Sequence, residues 1–131
     1  MPALTTDRHT PHQDAGIIGV PVAAGVQIFA GSLVAASASG YATPGAPSAA
    51  LTYIGRAEEY ADNRAGPDGG ALVRVRRLRA FMWANDGSIT QAHLMKQAFI
   101  VDDQTVAAED GGTRPPAGRI IGIEAGGVWV E

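Results

Sequence analysis

The stretch AGIIGVPVAAGVQIFAGSLVAASASGYATPGAPSAALTYIG, residues 15–55, contains no charged side chain. Its larger apolar residues fall into short runs, for example at 17–18, 26–29 and 33–37, which glycine and proline separate. β-Branched and aromatic residues in short runs between glycine and proline are typical of β-strands. We therefore predict that this stretch forms a series of short strands.

The same stretch is long enough, over residues 16–36, to cross a lipid bilayer as a helix. However, Pro21, Gln27, Ser32 and several glycines interrupt it, and these residues do not fit a continuous apolar helix. The polar residues before it also lack the basic start and apolar middle of a signal peptide. We expect no membrane span, and we expect synthesis and folding in a cytoplasm.

The remainder of the chain also indicates strands. Glycine-containing turn signals separate apolar runs, which we predict as strands at 51–57, 71–76, 78–84, 99–101, 119–124 and 128–131. The last two are predicted to form a hairpin. In the second of these runs Val73 and Val75 alternate with arginines, so the valines should face the core. The alternation shifts by one position at Arg76-Arg77, which predicts a β-bulge or a corner.

Only residues 91–96 indicate a helix, with Thr90 as its N-cap and Ala92 and Met95 facing inward. Residues 1–15 have few large apolar groups and two prolines, which predicts an extended N-terminal arm. The fold class is therefore mainly β: a small β-barrel or β-sandwich at residues 16–131, with one short helix and the arm. We find no internal repeat in the sequence.

Composition excludes several kinds of site. The chain has no cysteine, which excludes disulfides, thiolate metal sites and a cysteine nucleophile. His9 and His12 lie in the arm, and His93 has no recognisable nucleophile beside it. Adjacent acidic residues, as at Glu58-Glu59, point to opposite faces of a strand and rarely form a catalytic pair. We predict neither an enzyme nor a bound metal or cofactor.

Four arginines lie within six positions, just before two aromatic residues: Arg74, Arg76, Arg77 and Arg79, followed by Phe81 and Trp83. Arginine beside aromatic residues is found in protein interfaces and in grooves that bind single-stranded nucleic acid. A solvated strand face is a third interpretation. The net charge of −3 and the pI near 5.5 favour a protein partner over nucleic acid.

Four segments together resemble the small capsid decoration, or cement, proteins of tailed bacteriophages, in particular those of Mu-like siphophages. They are PVAAGVQIFAGSLVAASASGYATPG (21–45), YIGRAEEYADNRAG (53–66), FMWANDGSITQAHLMKQAFIVDDQTVA (81–107) and AGRIIGIEAGGVWVE (117–131). The resemblance implies a β-rich fold that assembles on the outer surface of the capsid, commonly as homotrimers, without catalytic residues.

Residue pattern and resemblance lead to one hypothesis, a non-enzymatic virion structural protein that bridges major capsid protein subunits and stabilises the expanded head. Residues 15–55 would be shared between core and neighbouring subunits, because interface centres are depleted in charge. The predicted partner contacts are Pro2, Asp7, Arg8, Pro11, Arg74, Arg76, Arg77, Arg79 and Trp83. The alternatives are a nucleic-acid-binding β-barrel that uses residues 74–79 and a head-fibre or tail-associated module.

Overall fold

The chain folds almost entirely into short β-strands, which confirms the mainly β prediction. The computed structural model describes residues 2–131 and contains twelve strands and one turn of 3₁₀-helix, Gln91–His93. The strands of the first part are β1 (Ile17–Pro21), β2 (Gln27–Ile28), β3 (Leu33–Ala36), β4 (Ala42–Pro44), β5 (Thr52–Ala57), β6 (Ala61–Asp62) and β7 (Leu72–Arg76). Those of the second part are β8 (Phe81–Asn85), β9 (Gln97–Ile100), β10 (Thr105–Ala107), β11 (Pro116–Glu124) and β12 (Gly127–Val130).

Residues 16–76, the first lobe, contain a five-stranded sheet in the order β1-β7-β5-β3-β4. Its two outer strands approach each other at a single parallel bridge between Val22 and Ala42. The sheet therefore curls into an open barrel around small apolar side chains, among them Val34, Val73 and Val75. The predicted alternation in β7 is confirmed, because both valines of that strand are fully buried.

Residues 81–131, the second lobe, form a closed barrel in the order β10-β8-β12-β11-β9. A parallel pair, β10 with β8, closes it, and all its other strand pairs are antiparallel. The predicted C-terminal hairpin is confirmed as β11–β12. Larger side chains fill this barrel, including Phe81, Trp83 and Ile120.

The two lobes have the same topology. In chain order, the five barrel strands are β1, β3, β4, β5 and β7 in the first lobe and β8 to β12 in the second. In each lobe the first strand pairs with the fifth, the fifth with the fourth, the fourth with the second, and the second with the third. The third strand runs parallel to the first. The register also agrees: Val34 opposes Gly55 in the first lobe, and Ala98 opposes Gly118 in the second. In both pairs a β-bulge lies next to that glycine. The structure therefore contains a repeat of topology that is not visible in the sequence.

The repeat was missed because the lobes share strand geometry rather than residue types. By backbone pairing, Gly55-Arg56 corresponds to Gly118-Arg119, and these dipeptides are identical. Most other matched positions differ, and 14 residues connect β5 to β7 where two connect β11 to β12. Insertions and small-to-large replacements of this kind leave the register intact but remove the sequence similarity.

The lobes are joined by residues 77–80 and by a shared core. Leu78 has φ of 60° in this connection, so the predicted change of direction after Arg76 is a corner. Leu33, at the start of β3, is fully buried within the core of the second lobe. The guanidinium of Arg56 lies 5.0 Å from the centre of the Phe81 ring, also across the boundary. These contacts fix the two barrels against each other.

The predicted helix at 91–96 is shorter than expected. Only three residues form a 3₁₀ turn after Thr90, and the N–H of Thr90 donates to Nδ1 of His93 at 2.9 Å. Met95 was expected to face inward but is 55% exposed, with φ of 68°. Its counterpart in the first lobe is Gly31, and both N–H groups donate to the same position of the fourth barrel strand. The loop requires a positive φ at Met95, which is incompatible with the helix that the spacing of Ala92 and Met95 predicted.

Candidate partner-binding surface

The N-terminal arm lies outside both barrels. The predicted contacts Pro2, Asp7, Arg8 and Pro11 are all exposed, as is every residue from 2 to 15; Met1, the first residue of the predicted arm, lies outside the described residues. Within the arm, Nη1 of Arg8 donates to the hydroxyl of Thr10 at 2.8 Å. The described part of the arm, residues 2–15, is thus accessible along its length, with a bend at Thr5-Thr6.

Arg77 fixes the point where the arm leaves the body. Its main-chain N–H donates to the carbonyl of Gly16 at 2.7 Å, and its guanidinium donates to the carbonyl of Ala15 at 3.2 Å. Strand β1 begins directly after these residues. Arg77 therefore acts within the chain as the anchor of the arm.

Arg74 and Arg76 are paired with acidic residues of the same lobe. Arg74 forms a bidentate salt bridge with Glu59, with Nη2 to Oε2 at 3.0 Å. Arg76 donates to Glu58 at 3.0 Å, and Arg56 donates to the same carboxylate at 2.6 Å. The connection between β5 and β7 supplies both acids. The contact of these two arginines with a partner stays a prediction, and it would require sharing or breaking these pairs.

These pairs lower the pKa values of the acids. Hydrogen bonds from Arg56 and Arg76 lower the pKa of Glu58, and hydrogen bonds from Arg74 lower that of Glu59. Nearby, the guanidinium of Arg64 lowers the pKa of Asp62 to about 2. A guanidinium beside a carboxyl group stabilises the charged form of that group and so lowers its pKa. The first lobe therefore carries a set of compensated charges at its surface.

Arg79 and Arg77 differ from the two preceding arginines. Within residues 2–131 neither forms a salt bridge, and Nη1 of Arg79 donates only to the neighbouring carbonyl of Leu78, at 3.3 Å. Both line a cleft between the lobes. They are the members of the arginine run whose charge is available to a partner.

Trp83 requires a correction. It was expected on a partner-binding surface but is only 4% exposed, because β8 alternates and its odd-numbered aromatic residues point into the barrel. Phe81 is buried in the same core, and the two rings lie 5.9 Å apart. Neither ring is accessible for stacking with a nucleic-acid base, which removes the aromatic half of the proposed nucleic-acid groove.

The cleft between the lobes has a volume of about 890 Å³. Corresponding segments of the two barrels face each other across it, residues 52–54 at the bulge of β5 and residues 116–118 at the bulge of β11. Leu51 and Leu78 extend its apolar lining, and Leu78 is 66% exposed. Burial raises the pKa of Tyr53, in the cleft wall, to about 12. Sequence reasoning missed this site, because only the pairing of the lobes creates it.

Each lobe also exposes apolar side chains in the loop before its second barrel strand. In the first lobe the ring of Phe29 in this loop lies 5.7 Å from the ring of Tyr60, which belongs to the connection between β5 and β7, and both rings are about half exposed. The second lobe exposes Leu94 and Met95 in the corresponding loop. Exposed clusters of this kind mark interaction surfaces more often than isolated apolar residues do.

Other kinds of site were sought in residues 2–131. No group of three or more His, Cys, Asp or Glu side chains is placed to hold a metal ion. None of the described helices has the length and apolar character of a membrane span. No protein-family model, curated protein or solved structure matches this chain.

Proposed function

We propose that the protein is a non-enzymatic structural component of a phage virion, which decorates the outer surface of the capsid and stabilises the expanded head. Its partners would be the major capsid protein and further copies of itself, in a homotrimer, after synthesis in the host cytoplasm. The observation that carries this proposal is the arm: a segment of 14 residues, exposed along its whole length and anchored at its root by Arg77.

An arm that is exposed along residues 2–15 is suited to assembly. Ordering such a segment costs conformational entropy, which a partner's surface can offset when the segment binds. The exposed apolar loops around Phe29 and Met95 add broad contacts of modest strength. Repetition of such contacts around a capsid gives strong overall attachment, because each further contact is made at high effective concentration. The resemblance of residues 21–45, 53–66, 81–107 and 117–131 to decoration proteins supports the same role.

The structure refines the electrostatic part of the proposal. Because Arg74 and Arg76 already neutralise Glu59 and Glu58, we assign the docking charge mainly to Arg77 and Arg79 and to Asp7 and Arg8 of the arm. Charges at the rim of an interface act mostly on association rate and its salt dependence. An Arg79→Glu variant should therefore bind capsids more slowly, with a smaller effect in high salt.

The direct test is to mix the purified protein with expanded heads that lack decoration and to image the heads by cryo-electron microscopy. Density at repeated positions on the outer surface supports the proposal, and its absence at saturating protein concentration contradicts it. Imaging whole virions also tests the head-fibre or tail-associated alternative, since density would then lie at the fibres or the tail. Gel-shift titration with single-stranded DNA at two salt concentrations tests the nucleic-acid alternative.

A further inference from the structure

We propose that the cleft between the lobes is a receptor for the N-terminal arm of a second copy of this chain. The inference rests on the self-association in the proposed function and names the surface through which it occurs. Within the described residues, the cleft and the arm both leave apolar side chains exposed, Leu78 in the cleft and Leu4 in the arm.

The cleft has the chemistry to receive an extended peptide. Its walls carry the bulges of β5 and β11, and a bulge leaves main-chain groups outside the regular ladder, where an incoming chain can bond to them. Its lining includes the exposed side chain of Leu78, together with Leu51 and Ile54. Arg77 and Arg79 place positive charge at its rim, while Glu131 contributes negative charge to the same lining, so an acidic group of the arm should bind on the arginine side.

The arm has the complementary chemistry. Leu4 is its one large apolar side chain among residues 2–15, and it is 71% exposed. Asp7 follows three residues later and forms no salt bridge within the described chain. An arm that places Leu4 against Leu78 brings Asp7 within reach of the rim arginines, because three extended residues span about 10 Å.

The arm's own geometry favours exchange between copies. Its root lies at the cleft rim, at Arg77, and residues 2–15 are all exposed. A chain of 14 extended residues reaches at most about 50 Å, far enough to enter the cleft of an adjacent copy. Reciprocal exchange of identical arms produces closed oligomers in which each copy gives one arm and receives one.

Cysteine cross-linking tests the proposal cleanly, since the 131-residue sequence contains no cysteine. A ¹⁵N-labelled Leu4→Cys protein is mixed with unlabelled Leu78→Cys protein under mild oxidation, and disulfide-linked dimers are identified by mass. Leu94→Cys is the matched control, because Leu94 is exposed at 41% but lies outside the cleft. We expect roughly tenfold more labelled–unlabelled dimer with Leu78→Cys than with the control, from the high local concentration of a docked arm.

Equal yields with Leu78→Cys and Leu94→Cys would overturn the proposal. A double variant, Leu4→Cys with Leu78→Cys, separates the two possible sources of the arm. Disulfide-linked oligomers support exchange, whereas a disulfide within one monomer shows that the arm occupies its own cleft and contradicts it.

A second variant removes the contact without straining the fold. Glycine adopts the φ of 60° found at residue 78 more readily than leucine, so Leu78→Gly should fold at least as well as the parent. Sedimentation equilibrium should show self-association weakened about tenfold or more, from the lost apolar contact. Leu94→Ala should leave it unchanged. Undiminished self-association of Leu78→Gly would reject the cleft, while head binding, measured separately, decides the proposed decoration role.

Discussion

The two lobes share one strand order and one register, but different residue types fill their cores. The first lobe is an open barrel filled with alanine and valine, and its surface carries all the salt bridges found within residues 2–131. The second is a closed barrel with an aromatic core and no such pair in the same residues. The comparison teaches that register and a few glycines define this topology, whereas core volume and surface charge vary freely around it.

The difference in closure has a specific cause. In the second lobe the N–H of Ala84 donates to the carbonyl of Gln104 at 2.8 Å, and this bond helps to join β8 to β10. The register places Pro21 at the corresponding position of the first lobe, and proline has no N–H to donate. The next bond of the pair is present in both lobes, from Ala23 to Ala42 in the first. Proline therefore accounts for the missing second bridge.

The largest expected effect tests whether the matched glycines are required in both lobes. A Cβ atom at Gly55 would lie 2.1 Å from the carbonyl oxygen of Arg76, and one at Gly118 would lie 2.1 Å from that of Glu131. Because the obstacle is main chain in both cases, Gly55→Ala and Gly118→Ala should each lower the free energy of unfolding by about 4 kcal/mol or more. Urea denaturation measures the loss.

Gly126→Ala is the control for both variants, since its nearest contact is the flexible side chain of Met82, at 3.8 Å. It should change stability by less than about 0.5 kcal/mol. If only one of Gly55→Ala and Gly118→Ala is strongly destabilising, then the two lobes do not both require glycine at this position of the register.

The next effect concerns the residue that departs most from the repeat. Leu33 and Gln97 occupy matched positions, opposite Arg56 and Arg119, but the leucine is buried in the core of the other lobe and the glutamine is exposed. Leu33→Ala should cost about 3 kcal/mol through lost burial and a cavity. Gln97→Ala should cost about 1 kcal/mol, for the bond from Nε2 to the carbonyl of Gly118. Similar losses in thermal denaturation would contradict the asymmetry.

Acid should weaken the first lobe selectively. Pairing with arginine lowers the folded-state pKa of Glu58, Glu59 and Asp62, the last to about 2. Their stabilisation is therefore complete above the ordinary carboxyl pKa, near pH 4, and is lost as the pH falls through the lowered pKa values, which for Asp62 means about 2. Thermal unfolding across this range should show a smaller acid-induced loss for Glu58→Gln than for the parent. Glu109→Gln, in the second lobe and outside any salt bridge, should behave like the parent.

The smallest effect tests the explanation of the open barrel. Pro21→Ala restores a donor opposite the third strand, and its hydrogen bond should offset the greater flexibility of the unfolded chain, so that stability changes by less than about 0.5 kcal/mol. The informative measurement is amide hydrogen exchange at residue 21. A protected amide, like that expected at Ala84, supports the explanation, and rapid exchange at residue 21 alone would contradict it.

Much of the fold could be predicted from sequence, because glycine punctuation and apolar runs are local signals. These signals predicted strands in the charge-free stretch, and they also predicted the inward alternation around Val73 and the C-terminal hairpin. The short strands β4, β6 and β10 were missed, because two or three residues carry too little periodicity. Met95 was misplaced because a helical spacing was present where the fold required a positive φ.

The candidate site could be predicted only in part. The arm and the free Arg79 follow from local composition, and the structure leaves both accessible. The pairing of Arg74 with Glu59 joins residues 15 positions apart, and the cleft depends on how the lobes meet. Trp83 is buried because alternate residues of β8, beginning with Phe81, point into the barrel. The sequence did not show which residues point inward, because the preceding arginines interrupt the alternation of apolar and polar residues. Such properties arise from contacts between segments that are distant in the chain, and local sequence patterns do not reveal which distant segments meet.

The position of Leu33 has a consequence for how the chain folds as it is synthesised. The first lobe leaves the ribosome first and draws its buried core from residues 20–75, so it can close before the second lobe exists. The second lobe cannot complete its core without Leu33, which the first lobe holds in place. The finished barrel thus forms against a template, and the direction of translation matches the order in which the two cores can be completed.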